Sequence, residues 1–171
     1  MQEDLPITRV AIRYGLIFGL VSSIYGILLY VFQLETNPVL PYIAWIFLIL
    51  AITQAIKDYR RQNQGFVSYG QGLGIGALTG AIIGLISGML NTFYLQVIDN
   101  TPLQRIADVT RETLEKRGMS DEEIEKALEM SKSFQSPGLL FLFSVLGSIL
   151  IGFILALIIS AVLQRKRPTF E

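Results

Sequence analysis

The chain has 171 residues, of which 51% are hydrophobic and only 16% are charged, whereas about 25% of the residues in an average soluble domain are charged. Lysine plus arginine equals aspartate plus glutamate at 14 each, so no excess of positive charge favours a nucleic acid as partner. The sequence contains neither cysteine nor histidine, which excludes thiolate chemistry, disulfides, the usual general base and most zinc sites. We therefore expect no cofactor and no metal.

Four apolar runs are long enough to cross a bilayer, which takes about 20 helical residues. They cover residues 10–32, 40–56, 69–98 and 138–163, and we refer to them as spans one to four. The second run is the shortest and lies at the lower limit of a spanning helix. The sequence therefore predicts an all-α integral membrane protein with four transmembrane helices.

Span one begins close to two arginines, Arg9 and Arg13, and in this respect resembles a signal peptide. Its apolar stretch is too long for a typical signal-peptide core, and no small-residue cleavage site follows Phe32. We therefore interpret span one as a retained signal anchor.

Basic residues predict the orientation, because short cytoplasmic loops carry an excess of lysine and arginine. Eight bases lie in the three segments at one side of the predicted spans, whereas the long segment between spans three and four has six bases and nine acids. The loop between spans one and two carries only Glu35. We expect both termini to be cytoplasmic. The eight bases are Arg9, Arg13, Lys57, Arg60, Arg61, Arg165, Lys166 and Arg167.

The polar segment 99–136 is predicted to form an extracytoplasmic helical hairpin. Its first helix is expected to begin with Thr101 as N-cap, Pro102 at the first helical position and Gln104 completing a capping box, and to end near Gly118. Ser120 and the three acids after it form a second capping box. Each helix has a modest apolar stripe at helical spacing. These stripes are Leu103, Ile106, Thr110 and Leu114 on the first helix, and Ile124, Ala127, Leu128 and Ser131 on the second.

The charged face of this hairpin is most simply a solvated surface, and partner binding is the alternative. The acids Asp121, Glu122, Glu123 and Glu125 lie at a helix N-terminus, where the helix dipole favours negative charge. That explanation is preferred to catalysis, and the protein is expected not to be an enzyme. The domain arrangement predicted is spans one to three in 1–98, the hairpin in 99–136, and span four with a basic cytoplasmic tail in 137–171.

Small residues recur at every fourth position in three of the four spans. Such rows let helix backbones approach closely in a membrane, and packing within the chain is the simplest interpretation. A homo-oligomer or a membrane-protein partner is the alternative. The rows are Gly15, Gly19 and Ser23 in span one, Gly72, Gly76, Gly80, Gly84 and Gly88 in span three, and Ser144, Ser148, Gly152, Ala156 and Ser160 in span four.

The glycine row in span three is expected to touch two neighbours. A four-residue step advances about 40° around a helix with 3.6 residues per turn, so the row winds around the helix axis. We therefore expect one contact near Gly72 and Gly76 and another near Gly84 and Gly88, with spans one and four as the partners. Span two, with bulky side chains such as Tyr42 and Trp45, is expected to be peripheral.

Polar groups inside the predicted spans are few, and Arg13 near the start of span one is the only charged residue. Gln54 and Asn91 are the largest of the uncharged polar side chains. Hydrogen bonding between helices explains them adequately. A polar path for a solute or a lipid, lined by Gln54 and Asn91, is the alternative.

Several short blocks together resemble a family of bacterial four-span membrane proteins, the domain-of-unknown-function family numbered 4199 of Bacteroidota. The blocks cover nearly the whole chain, and the sequence differs from the family pattern in the density of its glycine row and in the stretch from Asp99 to Pro102. The resemblance implies a protein of the bacterial inner membrane with the same four spans and hairpin, and it implies no activity. The blocks are Tyr14-Gly15, Lys57-Asp58-Tyr59-Arg60, Gly65 to Gln71, Tyr94 with Ile98-Asp99, and Met130 with Phe134, Ser136 and Pro137.

Two functions are compatible with these features. The first is a non-enzymatic accessory or scaffolding subunit that contacts membrane lipid and a membrane-protein partner, for example in envelope biogenesis. The second is a small oligomeric transporter or channel for a solute or a lipid. The absence of charge within the spans and of an inverted repeat disfavours the second function.

Overall fold

The computed structural model describes residues 6–165, and within them the chain folds into six α-helices. A short 3₁₀ turn, Leu40–Tyr42, leads into the second helix, and a π-helical turn, Tyr94–Ile98, extends the third. The six helices are α1 (Ile7–Val31), α2 (Ile43–Gln62), α3 (Tyr69–Phe93), α4 (Thr101–Lys116), α5 (Asp121–Ser133) and α6 (Pro137–Leu163).

Four segments of the described chain are helical, long enough and apolar enough to span a membrane, namely Ile7–Val31, Leu40–Gln62, Tyr69–Ile98 and Pro137–Leu163. The prediction of an all-α membrane fold with four spans is therefore confirmed. The second span is longer than predicted, because α2 continues through the charged residues Lys57 to Arg61 and does not end where the apolar run ends.

Helix α3 lies at the centre of the bundle, where it packs most extensively against α6 and α1. Helix α2 contacts α1, α3 and α6, so the expectation that span two is peripheral is wrong for its second half. Ala51, Ile52, Ala55 and Ile56 are fully buried there. The two alanines, one turn apart, let α2 approach its neighbours closely. The exposed aromatic residues predicted for this span belong to its first half, where Trp45 is 47% exposed.

The glycine row of α3 packs along α6 over its whole length. Gly72 faces Ser160, Gly76 faces Ala156, Gly80 faces Ser148 and Gly152, Gly84 faces Ser148 and Ser144, and Gly88 faces Ser144. A Cβ atom at Gly80 would lie 2.6 Å from the backbone oxygen of Ser148, and the Ser148 hydroxyl donates a 2.8 Å hydrogen bond to the Gly80 carbonyl. Only glycine fits at this point of the interface.

The expectation that the row divides between two neighbours is therefore wrong. Helix α6 runs antiparallel to α3 and carries its own row with the same four-residue step, so both rows drift around their helices at the same rate. Two rows of equal pitch can stay in contact along their whole length when their helices wrap around each other. Gly15 and Gly19 of α1 instead face the isoleucines Ile82 and Ile86 on another side of α3.

The two ends of the bundle differ in charge. We call the end that contains the start of α1, the α2–α3 loop and the end of α6 the basic end. Two of the eight bases predicted to lie on one side of the membrane, Lys166 and Arg167, lie outside the described residues. Three contacts close the basic end: Arg13 with Asp58 at 3.5 Å, Arg60 with the carbonyl of Leu163 at 3.3 Å, and a backbone bridge between Val67 and Arg165.

The opposite end, which we call the hairpin end, contains the α1–α2 loop together with α4 and α5. These two helices pack against each other, with Ile124 and Leu128 of the predicted apolar stripe buried. Between them, Gly118 has a φ of +78°, a conformation that glycine adopts at little cost. The predicted hairpin is present, and its turn lies where the sequence indicates.

Hydrogen bonds confirm the predicted capping box at Ser120, and a further capping box begins α3. Ser68 and Gln71 form a capping box at α3, and Ser120 and Glu123 form another at α5. The hydrogen bond that the Ser120 backbone N–H donates to Glu123 is the main reason that the pKa of Glu123 is lowered.

The start of α4 differs from the prediction. Asn100, not Thr101, is the N-cap residue. The carboxylate of Asp99 accepts hydrogen bonds from both the hydroxyl and the backbone N–H of Thr101, the latter at 2.9 Å. These bonds lower the pKa of Asp99. Asp99, which precedes the helix, therefore accepts the hydrogen bonds at the helix start, a role that the sequence predicted for Thr101. Gln104 forms no capping box with Thr101.

Candidate functional site

A half-open cavity of about 540 Å³ lies in the hairpin-end half of the bundle. All four membrane-type helices contribute to its walls, and Ile106 of α4 contributes from the hairpin. On the α6 side its wall includes Gly147, where an added Cβ atom would meet no other atom within 4 Å. Much of its wall is apolar, including Leu29, Trp45, Leu48, Ile83, Phe143 and Ile151.

A buried ion pair lies at the hairpin end of this cavity. Glu35, in the α1–α2 loop, has a side chain that is only 4% exposed, and it accepts a hydrogen bond from Nε of Arg105 on α4. Arg105 also donates from Nη2 to the carbonyl of Tyr30 at 3.1 Å. The hydrogen bond to Glu35 is the main reason that the pKa of Arg105 is raised above its already high ordinary value. The pair therefore joins the hairpin to the end of α1, and its carboxylate partner Glu35 lines the cavity.

One oxygen of this carboxylate has no partner. Oε2 of Glu35 is buried and accepts no hydrogen bond from the residues that the structure describes. Glu35 also lines the cavity. A buried acceptor without a donor is costly, so an unsatisfied carboxylate oxygen beside a cavity is typical of a site that holds a ligand with a donor group.

Asn91 contributes a second polar group to the cavity wall. Its Nδ2 donates a 2.8 Å hydrogen bond to the carbonyl of Ser87, which fixes the orientation of the amide because a carbonyl can only accept. Its Oδ1 is buried without a hydrogen-bond donor among residues 6–165 and lies against Gly26 of α1. Of the two residues predicted to line a polar path, Asn91 therefore does line a cavity.

Gln54 does not belong to this cavity. It is exposed on the outer surface of α2, roughly 130° around the helix from the middle of the buried stripe formed by Ala51, Ile52, Ala55 and Ile56, counting 100° per residue. Within one chain, the structure therefore does not bring Gln54 and Asn91 together, and the path predicted for an oligomer stays a prediction. Both residues were predicted from their polarity alone. The face of α2 that packs inward is the one with Ala51 and Ala55, and Gln54 does not lie on that face.

Aromatic residues complete the polar end of the cavity. The hydroxyl of Tyr25 donates a 2.8 Å hydrogen bond to the carbonyl of Leu40, which fixes the start of α2 against α1. The ring of Tyr30 stacks on that of Tyr94, with ring centroids 5.7 Å apart. These contacts connect the loop that carries Glu35 to the π-helical turn at the end of α3.

The comparison with protein-family models gives one match, to the family described as protein of unknown function (DUF4199), over residues 13–165. The chain belongs to the DUF4199 family. Neither the comparison with curated proteins nor the comparison with solved structures gives a match. The resemblance recognised in the sequence is confirmed, and it includes every element that forms the cavity.

The acidic residues of the DUF4199 hairpin lie away from the cavity wall. Glu122 pairs with Lys126 at 2.8 Å, and Glu125 pairs with Arg111 at 3.1 Å, both on the surface, while Glu123 caps α5. Within the part of the chain that the structure describes, no cluster of three or more acids is placed to hold a metal ion.

Sequence reasoning missed the Glu35–Arg105 pair. The two residues are 70 positions apart, and Arg105 looked like one of six bases on a solvated hairpin. One signal was available, because Glu35 is the only charged residue between spans one and two. A single acid in an otherwise uncharged loop at the end of a membrane helix is a candidate for a buried partner.

Proposed function

We propose that this DUF4199 protein is a non-enzymatic membrane protein that binds one lipid-class amphiphile in the cavity at its hairpin end. The observation that carries the proposal is the polarity of the cavity. Its walls are largely apolar, and its polar lining includes the carboxylate of Glu35 and the amide of Asn91. Ligand pockets generally combine an apolar lining with a few placed polar groups, and an acyl chain with a polar head matches this arrangement.

Binding is better supported than conduction, because the cavity ends blindly. Toward the basic end, the space between the helices is filled by a core in which Ile52, Ile56 and Ile75 are fully buried and Tyr59 is 1% exposed. Gln54, which would have continued a polar path in this direction, lies on the outside of α2. A channel through a single copy of the chain would have to open this core.

The proposal includes an accessory role in the bacterial inner membrane, with a membrane protein as partner. The small-residue rows of α3 and α6 face each other within one chain, so a partner or a second copy would bind elsewhere. For the orientation, Arg9 and Arg13 near the start of α1 and the bases at the end of α2 belong to one end of the bundle. The positive-inside rule then supports a cytoplasmic basic end and an extracytoplasmic hairpin.

The test uses a substitution that fills the cavity without disturbing helix packing. Gly147 of α6 lines the cavity, and a Cβ atom added there would meet no other atom within 4 Å. Gly147→Leu places a side chain in the ligand space. Gly138→Leu is a matched control, since Gly138 lies on the same helix, has the same open surroundings and is not part of the cavity wall.

The measurement is native mass spectrometry of each variant extracted from membranes in mild detergent. We expect the wild type and Gly138→Leu to retain one lipid per chain, and Gly147→Leu to retain none at the same detergent concentration. A wild type without bound lipid, or equal lipid retention by Gly147→Leu and the control, would refute the proposal.

A further inference from the structure

We infer that the cavity recognises an aminophospholipid, with the ammonium group of the lipid donating to Oε2 of Glu35. The inference rests on the proposed function, and it specifies the headgroup that the polar end of the cavity selects. Three features support it: the unpaired carboxylate oxygen of Glu35, the neutral sum of charges of the Glu35–Arg105 pair, and the position of Glu35 in the wall of a largely apolar cavity.

The first feature determines which chemical group the ligand supplies to Glu35. Oε1 of Glu35 is occupied by Nε of Arg105, and Nη2 of Arg105 is occupied by the carbonyl of Tyr30. Oε2 is buried within a side chain that is 4% exposed, and it lacks a donor among the described residues. A carboxylate oxygen only accepts hydrogen bonds, so the ligand has to supply an N–H or O–H group at this position.

The second feature limits the charge of the ligand. Glu35 and Arg105 together are neutral, and a single uncompensated charge placed beside them in a poorly hydrated site would be costly. A zwitterionic headgroup avoids this cost, because its own phosphate cancels the charge of the ammonium that approaches Glu35.

The third feature concerns the apolar part of the ligand. The ion pair lies where the α1–α2 loop meets α4, and the apolar wall formed by residues such as Leu48, Phe143 and Ile151 extends from it between the helices. A head bound at Glu35 would therefore direct an acyl chain along this wall. A water-soluble amine would leave the apolar surface unoccupied, so the inference is limited to an amine attached to a lipid.

The experiment compares two lipids that differ in N–H donors and not in net charge. Phosphatidylethanolamine has an ammonium with three N–H groups, whereas phosphatidylcholine with the same acyl chains has three methyl groups in their place. The protein is titrated with each lipid in detergent and the bound fraction is measured by native mass spectrometry. We expect the wild type to prefer phosphatidylethanolamine by about tenfold or more, the effect of one hydrogen bond to a charged group.

Two variants test whether Glu35 causes this preference. Glu35→Gln should lower the ratio of the two affinities to about one, because an amide nitrogen can replace the free acceptor. Since that variant leaves Arg105 without its anion, a Glu35→Gln/Arg105→Gln double variant provides a pair without charges, and it should also lose the preference. Arg111→Gln, which breaks an exposed ion pair on the hairpin, is the control and should retain it.

The outcomes separate the inference from the proposed function. Equal binding of both lipids by the wild type, with Gly147→Leu abolishing both, would overturn the inference and leave lipid binding intact. A preference that survives in the double variant, or tighter binding of phosphatidylglycerol than of phosphatidylethanolamine, would also overturn it. A wild-type protein that binds none of these lipids would refute the proposed function itself.

Discussion

The contact between Gly76 and Ala156 allows a direct test of the α3–α6 interface. A Cβ atom at Gly76 would overlap with the Cβ of Ala156. Neither methyl group can rotate away, so the two backbones would have to separate. If the interface is correct, Gly76→Ala is destabilising, and moving the methyl group from one helix to the other restores the packing. The test is a double-mutant cycle of Gly76→Ala, Ala156→Gly and the combination.

The magnitudes follow from the geometry. Overpacking a site that cannot adjust costs about 3 kcal/mol, the upper part of the observed range, and Gly76→Ala recovers about 1 kcal/mol of helix propensity. The single variant should therefore be destabilised by about 2 kcal/mol. Ala156→Gly should lose about 1 kcal/mol. In the combination, the next atom facing the new methyl group is the carbonyl oxygen of Gly152 at 3.3 Å, a tight but tolerable contact.

We expect the double variant to lie within about 0.5 kcal/mol of the wild type, which corresponds to a coupling of about 2–3 kcal/mol. The assay is equilibrium unfolding in mixed micelles with increasing denaturing detergent. Gly70→Ala is the control on the same helix, since a Cβ atom at Gly70 meets no atom within 4 Å. A Gly76→Ala variant more stable than the wild type, or additive effects in the cycle, would refute the described interface.

Three further predictions concern individual side chains. Because hydrogen bonds from Ser120 lower the folded-state pKa of Glu123, their contribution is present above its ordinary pKa and is lost as the pH falls through the lowered value. Amide exchange at the start of α5 should therefore increase with acidification, and Glu123→Gln should remove this dependence. Ser148→Ala, which deletes the hydrogen bond between α6 and α3, should cost about 0.6 kcal/mol in micelle unfolding. Arg105→Ala leaves the carboxylate of Glu35 without its cation, and amide exchange in α4 should then rise more than in the core of α3.

Features that depend on neighbours in sequence could be predicted from the sequence. The capping boxes at Ser68 and Ser120 each need only four consecutive residues, and the four spans need only runs of apolar residues. The turn at Gly118 follows from a helix end and a positive φ. In these cases, local chemistry determines the structure.

Features that depend on how helices meet could not be predicted. The glycine row does wind around α3 as predicted for a single helix. Whether it contacts one neighbour or two depends on α6, which has a row of the same pitch. The burial of Ala51 and Ala55 depends on α6 and α3 lying against that face of α2. The Glu35–Arg105 pair depends on the hairpin folding back over the α1–α2 loop, which neither segment specifies alone.

The distribution of small and large side chains explains why the cavity lies at the hairpin end. At the basic end, Ala51 and Ala55 of α2 and Ala156 of α6 are fully buried and allow close packing. At the hairpin end, α2 has Trp45 and Leu48, while α6 has the open position Gly147. The same sequence therefore closes one half of the bundle and leaves space in the other. Since the buried carboxylate borders the open half, ligand binding should depend on the hairpin that supplies its cation, whereas the stability of the bundle should depend mainly on the closed half.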